Sequence, residues 1–256
     1  MFGFTRRRRK RLRQQPFPVD WEEIIERRVP YYRILPPEDQ HELQELVQVF
    51  LAEKQFEGCG GLDITDEIRL TIAAQACILL LHRDTDFYPM LQTILVYPDA
   101  YIAPTTQYQP DGTVIEEDQA RLGESWSRGV IVLSWNDIKH GVADIHDGQN
   151  IVFHEFAHQL DNEYGLAEGA PALPRRSMYI AWARVLGQAY EALVCDIAHQ
   201  RQTLLDAYGA TNPAEFFAVA TESFFEKPLQ LKAHHPELYE QLQFFYQQDP
   251  AAFYNR

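Results

Sequence analysis

Residues 150–161 read Asn150-Ile151-Val152-Phe153-His154-Glu155-Phe156-Ala157-His158-Gln159-Leu160-Asp161, and within them His154, Glu155 and His158 spell His-Glu-x-x-His. On an α-helix, residues i and i+4 share one face a single turn apart. The spacing therefore lets both imidazoles address one zinc ion. Glu155, beside the first of them, is placed to take a proton from zinc-bound water. Ile151, Val152 and Phe153 form an apolar lead-in, and Phe156, Ala157 and Leu160 supply a packing face. This helix is expected to be mostly buried, so its two histidines and its glutamate need polar partners.

The search for those partners runs downstream. A catalytic zinc site takes three protein ligands and leaves a fourth position open. A third histidine six residues after His158 is excluded, because Tyr164 stands there, with Asp161 where the accompanying glycine would be. The remaining candidates are Glu191, Glu215, Glu222 and Glu226, with His199 as an outlying alternative. Asn212 is a good N-cap and Pro213 suits the first helical position, so a helix is expected from there to about Glu226. Glu215 and Glu222 are seven residues apart and lie on nearly the same face of it. Glu215 also stands three residues after the cap, where a carboxylate can satisfy helix-start amides instead. Spacing does not choose between the two.

Around this centre the chain reads as α+β. Trp21, Ile24, Ile25 and Arg28 predict a short helix over Asp20 to Val29, stopped by Pro30. Leu43, Leu46, Val47, Phe50 and Leu51 predict an amphipathic helix starting at Pro36-Pro37 and ending by Gly58. Thr65 is expected to cap a helix over Ile68 to Leu81 that is apolar nearly all round and so central to the core. Thr93 to Tyr97 and Val130 to Trp135 are rich in β-branched and aromatic residues and predict strands. Residues 105–128, broken by Pro110 and Asp111-Gly112, predict a hairpin or long loop. The polar run from Asp137 to Gln149 reads as the lead-in to the zinc helix, with His140 and His146 as plain surface residues. Helices are expected over Ser177 to Tyr208, after a loop at Gly165 to Pro174, and over Pro236 to Tyr254. The organisation expected is a basic flexible leader over 1–19 and a single domain over 20–256.

Composition sets limits. With 46% hydrophobic and 23% charged residues this is an ordinary globular chain. It has no apolar run of the roughly 18 residues a membrane helix needs. Cys59, Cys77 and Cys195 form no Cys-x-x-Cys pair, and no secretory signal is seen, which points to the reducing cytoplasm. Seven of the 23 basic residues lie in 6–13, leaving 16 basic against 37 acidic elsewhere. That acidic body is expected to repel nucleic acid and anionic membrane.

Two blocks, His154-Glu-Phe-Ala-His-Gln-Leu-Asp161 and Tyr208-Gly-Ala-Thr-Asn-Pro-Ala-Glu-Phe-Phe-Ala218, together resemble the Mlc titration factor A family of bacterial zinc peptidases. They are also similar to the catalytic domain of lethal-factor-type toxins. The resemblance implies a mainly helical, zincin-like metallopeptidase domain with a small β-sheet beside the active-site helix. It implies one zinc ion per chain, held by His154, His158 and Glu215, with Glu155 as the general base and Tyr208 steadying the reacting carbonyl. It also implies that the strand before the zinc helix is an edge on which an extended peptide substrate pairs, through Leu133, Ser134, Trp135 and Asn136. The chain departs from many glutamate-ligand zinc peptidases at Val219, where they carry a carboxylate that supports a histidine ligand. Asp161 or Glu222 would have to serve there. Peptide hydrolysis is the activity implied, and the residues leave open whether it is of aminopeptidase type or internal. The family's name implies a rival role, capture of a glucose-responsive transcriptional repressor.

Overall fold

The computed structural model describes residues 2–84, 86–99, 101–108, 114–121, 123–126, 129–164, 169–173 and 175–255, with the backbone alone for 2–4, 101–126, 164 and 255. The helices in chain order are α1 (Phe2–Arg13), α2 (Val19–Arg28), α3 (Pro30–Ile34), α4 (Pro37–Glu53), α5 (Asp66–Ile78), α6 (Trp135–Ala143), α7 (Ile151–Asp161), α8 (Met178–Ala198), α9 (Pro213–Glu226), α10 (Pro228–His234) and α11 (Pro236–Tyr246). The strands are β1 (Gln55–Gly58), β2 (Thr93–Tyr97), β3 (Tyr101–Tyr108), β4 (Val114–Arg121), β5 (Gly123–Trp126) and β6 (Val130–Ser134). The architecture is mainly helical α+β, as expected.

Thr65 starts the central helix: its hydroxyl accepts from the Ile68 N–H at 3.3 Å. From Ile68 to Ile78 every residue of α5 except Arg69 is buried. Helices α2, α4 and α7 pack around it. An aromatic part of the same core joins α9 to α11: Phe224 and Phe225 meet Tyr246 with ring centroids 5.6 and 5.0 Å apart. Trp182 of α8 packs edge-on against Phe217 and Phe245 in the same cluster. Aromatic contacts of this kind stabilise beyond the apolar area they bury.

The main sheet runs β1-β2-β6-β5, with β1, β2 and β6 parallel and β5 antiparallel to β6. Strands β3 and β4 form a separate antiparallel pair, and the Asp111-Gly112 turn expected between them lies outside the described residues. Strand β6 is interior, which corrects the expected substrate edge. Leu133 pairs with Val96 on one side and with Gly123 on the other, and Ser134 pairs with Tyr97. Trp135 and Asn136 belong to α6, which Ser134 caps by accepting from the Asp137 N–H at 3.2 Å. The Asn136 N–H is taken by Pro98 O at 3.1 Å. Leu133 is thus flanked by strands on both sides, and the Asn136 N–H is already taken.

Other boundaries also differ from expectation. Pro30 and Pro228 each open a short helix instead of only ending one, as proline at the first helical position permits, while Pro236 opens α11 as expected. Helix α8 stops at Ala198, well before Tyr208, because Gln200 turns left-handed at φ 54°. Tyr208 then sits on its own 3-10 turn, Ala207–Ala210, where Asp206 accepts the Tyr208 N–H at 2.8 Å. Helix α11 ends at Tyr246 with Gln247 left-handed, and a 3-10 helix, Pro250–Asn255, follows.

The leader is the largest correction. Residues 2–13 form α1, docked on the end of α4. Arg9 grips Glu53 through two hydrogen bonds of 2.8 and 2.9 Å and reaches Asp86 at 3.0 Å. The Arg9 and Arg13 guanidinium groups lie 4.8 and 5.6 Å from the centroid of Phe87. Helical spacing puts every fourth arginine of the run on the same side, and the acidic body supplies carboxylates to meet them. No helix among the described residues is long and apolar enough to cross a membrane, and the three cysteines are free thiols.

Arg9→Ala should loosen α1. Limited trypsin digestion should then cut within residues 6–13 several-fold faster than in wild type, while the stability of the body changes by no more than about 1 kcal/mol. Equal cleavage rates would mean that the helix does not depend on this contact.

Candidate metal centre

The centre is built by two capped helices lying against each other. Asn150 starts α7 by accepting the Val152 and Phe153 N–H groups on Oδ1, both at 3.1 Å. Asn212 starts α9 by accepting the Glu215 N–H at 3.0 Å. Each cap is worth about 1 kcal/mol and sets the rotation of the first turn behind it. The helices pack through Phe153 and Phe225, whose centroids are 5.2 Å apart. Their facing polar residues then converge. Glu215 Oε2 lies 2.9 Å from His154 Nε2 and 3.2 Å from His158 Nε2, and the two imidazole nitrogens are 3.3 Å apart. The carboxylate of Glu215 thus turns to the histidines. Among the described residues this is the one group of three or more histidine, cysteine or carboxylate side chains close enough to hold a metal ion.

The donor set fits zinc. Bonds of about 2.0–2.1 Å to nitrogen and oxygen in a tetrahedral arrangement put neighbouring ligand atoms about 3.3 Å apart. The three separations here are close to that. The side chains of His154, His158 and Glu215 are 10%, 12% and 18% exposed, so the cluster is largely withdrawn from water but reachable. Electrostatics agree with a place made for a cation. Burial pulls the His154 imidazole down, but hydrogen bonds to Glu215 and Glu222 outweigh it and lift the pKa to about 10. Burial pushes Glu215 up, and hydrogen bonds from His154 and His158 outweigh that and bring it down to about 2.

Glu222, one of the two carboxylates that spacing could not separate, takes the other side of His154. Its Oε2 is 3.1 Å from His154 Nδ1. A carboxylate on the second nitrogen of a metal-ligating histidine orients the ring and selects its tautomer. Asp161 instead accepts the Gly169 N–H at 2.8 Å, and Gly169 abuts Pro213 so closely that a Cβ there would lie 2.3 Å from the proline oxygen. Asp161 thereby ties the end of α7 to the start of α9.

Glu155 is buried close enough to the cluster to feel the charges of His154, His158, Glu215 and Glu222. It is 3% exposed, and its Oε2 has no hydrogen-bond partner among the described residues. Burial raises its pKa, against the pull of His154 and His158. The ring of Tyr208 lies 5.8 Å from that of His154, with the residue half exposed at the mouth of the site. Its pKa is raised by burial and by the nearby Glu215 and Glu155, so the phenol keeps its proton.

The other sequence candidates lie elsewhere. Glu191 is exposed on α8, and His199 bonds back to Cys195 O at the end of that helix. Glu226 is buried behind the centre, bonded to Asn150. His140 and His146 are exposed. Asn150 is the site residue that sequence reasoning missed: an amide directly before an apolar helical run signals a cap, but nothing local shows its contacts with α5 and α9.

Comparison with known proteins agrees with this geometry. Residues 4–247 match the family model of the glucose-regulated metallo-peptidase M90. The chain is 46% identical over 246 residues to the uncharacterized protein slr2042 of Synechocystis sp., covering 95% of this chain and 89% of that one. It is 32% identical over 237 residues to Mlc titration factor A of Klebsiella pneumoniae, covering 91% and 88% of the two chains. With Mlc titration factor A of Serratia proteamaculans it shares 34% identity over 225 residues, covering 86% and 85%. A His-Glu-x-x-His helix facing a part-buried glutamate, on a chain matched over nearly its whole length, places this protein in the glucose-regulated metallo-peptidase M90 family.

Proposed function

We propose that the protein is a zinc-dependent peptidase in which His154, His158 and Glu215 hold the metal. The observation that carries this reading is the convergence of two imidazole nitrogens and one carboxylate oxygen, all within 4.8 Å of one another. Zinc bound there supplies Lewis-acid chemistry, the acidification of water and the polarisation of a carbonyl. Glu155 is the general base: its free oxygen accepts a proton from the attacking water and then hands it to the leaving amine. Burial suits it to this task, because a raised pKa brings a carboxyl nearer to neutrality. Tyr208, protonated and at the mouth of the site, donates its O–H to the oxyanion of the tetrahedral intermediate. Glu222 holds His154 in place through Nδ1. Whether the peptide is cut at its N-terminus or within is decided by the walls of the site. The free thiols suit a reducing, cytoplasmic setting.

A second reading is favoured by the relatives named Mlc titration factor A. In it the protein also captures a transcriptional repressor, Mlc or one like it. Capture and hydrolysis separate cleanly: if capture is independent of chemistry, Glu155→Gln should bind purified Mlc with wild-type affinity, and an affinity reduced tenfold would tie the two together.

Glu155→Gln should keep stoichiometric zinc and lose peptide hydrolysis by about 10²–10⁴-fold. Glu215→Gln should lose zinc affinity as well, measured by competition with a chromophoric chelator. Wild-type turnover in Glu155→Gln would contradict the mechanism.

Zinc uptake should also release protons. Metal-free His154 is charged at neutral pH because its pKa is raised to about 10, and a ligating imidazole must be neutral. Apparent zinc affinity should therefore rise with pH from 7 towards 10, by up to about tenfold per unit. Calorimetry in buffers of different ionisation enthalpy should report about one proton released near pH 7.5, and buffer-independent heats would contradict this.

A further inference from the structure

We infer that Asn150 is a positioning residue for the metal centre, acting on His154 through Glu222. The inference rests on the zinc reading above and extends it to a residue that touches neither metal nor substrate.

Asn150 is 3% exposed, and every polar atom it has is engaged. Its side-chain oxygen caps α7, and its carbonyl accepts the His154 N–H at 2.9 Å. Its own N–H donates to Glu222 Oε1 at 2.7 Å. Glu222 is then spanned: Oε1 is held by Asn150, and Oε2 meets His154 Nδ1 at 3.1 Å. The side-chain amide donates to Gln75 Oε1 at 2.9 Å and to Glu226 Oε1 at 3.0 Å. One residue therefore joins three helices. It fixes the start of α7, bonds α9 at both Glu222 and Glu226, and reaches across to α5.

Capping alone does not require this residue. Aspartate and serine cap helices about as well as asparagine. Neither can also donate twice from the side chain, as the Gln75 and Glu226 carbonyl-type oxygens demand. Burial makes the choice costly to change: Glu226 is 1% exposed, and burial pushes its carboxyl well above the usual range. A carboxylate placed at position 150 would lie beside Glu222 and Glu226 with neither of the two side-chain donors that asparagine supplies. The adjoining turn is moulded to the same arrangement. Gly148 is left-handed at φ 73°, where a Cβ would lie 3.0 Å from Lys227 Nζ, and at Gly141 a Cβ would lie 3.3 Å from the Asn150 Cα. The side-chain amide bonds to α5 and α9 are thus what hold this backbone where its N–H meets Glu222.

The consequence is a rigid carboxylate–histidine pair. Glu222 on a mobile side chain could hold His154 Nδ1 in several orientations. Anchored by the Asn150 N–H, it presents Oε2 from one direction, which aims Nε2 at Glu215 and His158. Outer partners of metal ligands commonly contribute 10–100-fold to metal affinity.

The test is zinc affinity, read by chelator competition on the full chain for wild type, Asn150→Asp, and Asn150→Asp combined with Glu226→Gln. Asn150→Asp keeps the cap but loses both amide donors. It should fold cooperatively without metal and bind zinc about 10–100-fold more weakly than wild type. The visible spectrum of its cobalt-substituted form should shift. Adding Glu226→Gln reverses the hydrogen bond, with the new amide donating to the new carboxylate, and should recover a substantial part of the lost affinity. Should Asn150→Asp fail to fold, Asn150→Ser carries the test: it caps without charge and should show the same weakening. Zinc affinity within about twofold of wild type in the folded variant, or a loss that Glu226→Gln does not relieve, overturns the inference. Wild type that takes up no zinc overturns the zinc reading itself, and the wild-type titration alone shows which of the two has failed.

Discussion

Two histidines and two glutamates are held within hydrogen-bond reach of one another between α7 and α9, and the rest of the structure serves that meeting. Taking such groups out of water is expensive unless each finds a partner. Here the partners are arranged in sequence: Glu222 on one face of His154, Glu215 on the other, and His158 completing the set. The aromatic packing around Phe153, Phe225 and Tyr246 keeps the helices in register, so the polar groups cannot separate without opening the core. Because the site sits in the middle of the packing, its geometry is as stiff as the core, which is what a metal-ligand set needs.

The parts of this that were legible in the sequence are the local ones. The spacing of His154 and His158 and the cap-proline pair Asn212-Pro213 each specify a helix within a few residues, and α7 and α9 follow them closely. Thr65 and the apolar run after it likewise announce α5. The choice between Glu215 and Glu222 was not legible, because their distances to His154 are set by how α9 lies on α7, across more than 60 residues of chain. Resemblance pointed to Glu215, and the geometry gives the two glutamates opposite sides of one imidazole.

The misses share a cause. Strand β1 has a polar sequence, Gln-Phe-Glu-Gly, because it lies at the edge of the sheet and exposes most of its side chains. The edge role of strand β6 came from resemblance alone, and its neighbour β5, Gly-Glu-Ser-Trp, carries no strong strand signal of its own. Helix α6 was hidden in a polar run whose buried residues are only Ile138 and Gly141. The arginine run was visible as charge, but nothing near it in the chain shows that Glu53 and Asp86 wait for Arg9. In each case the deciding partner is distant in sequence, and local pattern carries no trace of it.

The most direct test of the account is a crystal structure of the zinc-loaded protein with anomalous data collected on both sides of the zinc absorption edge. One strong anomalous peak is expected, bonded to His154 Nε2, His158 Nε2 and a Glu215 oxygen, with Glu222 still on His154 Nδ1. A peak bonded to Glu222 in place of Glu215, or lying away from α7, would contradict it.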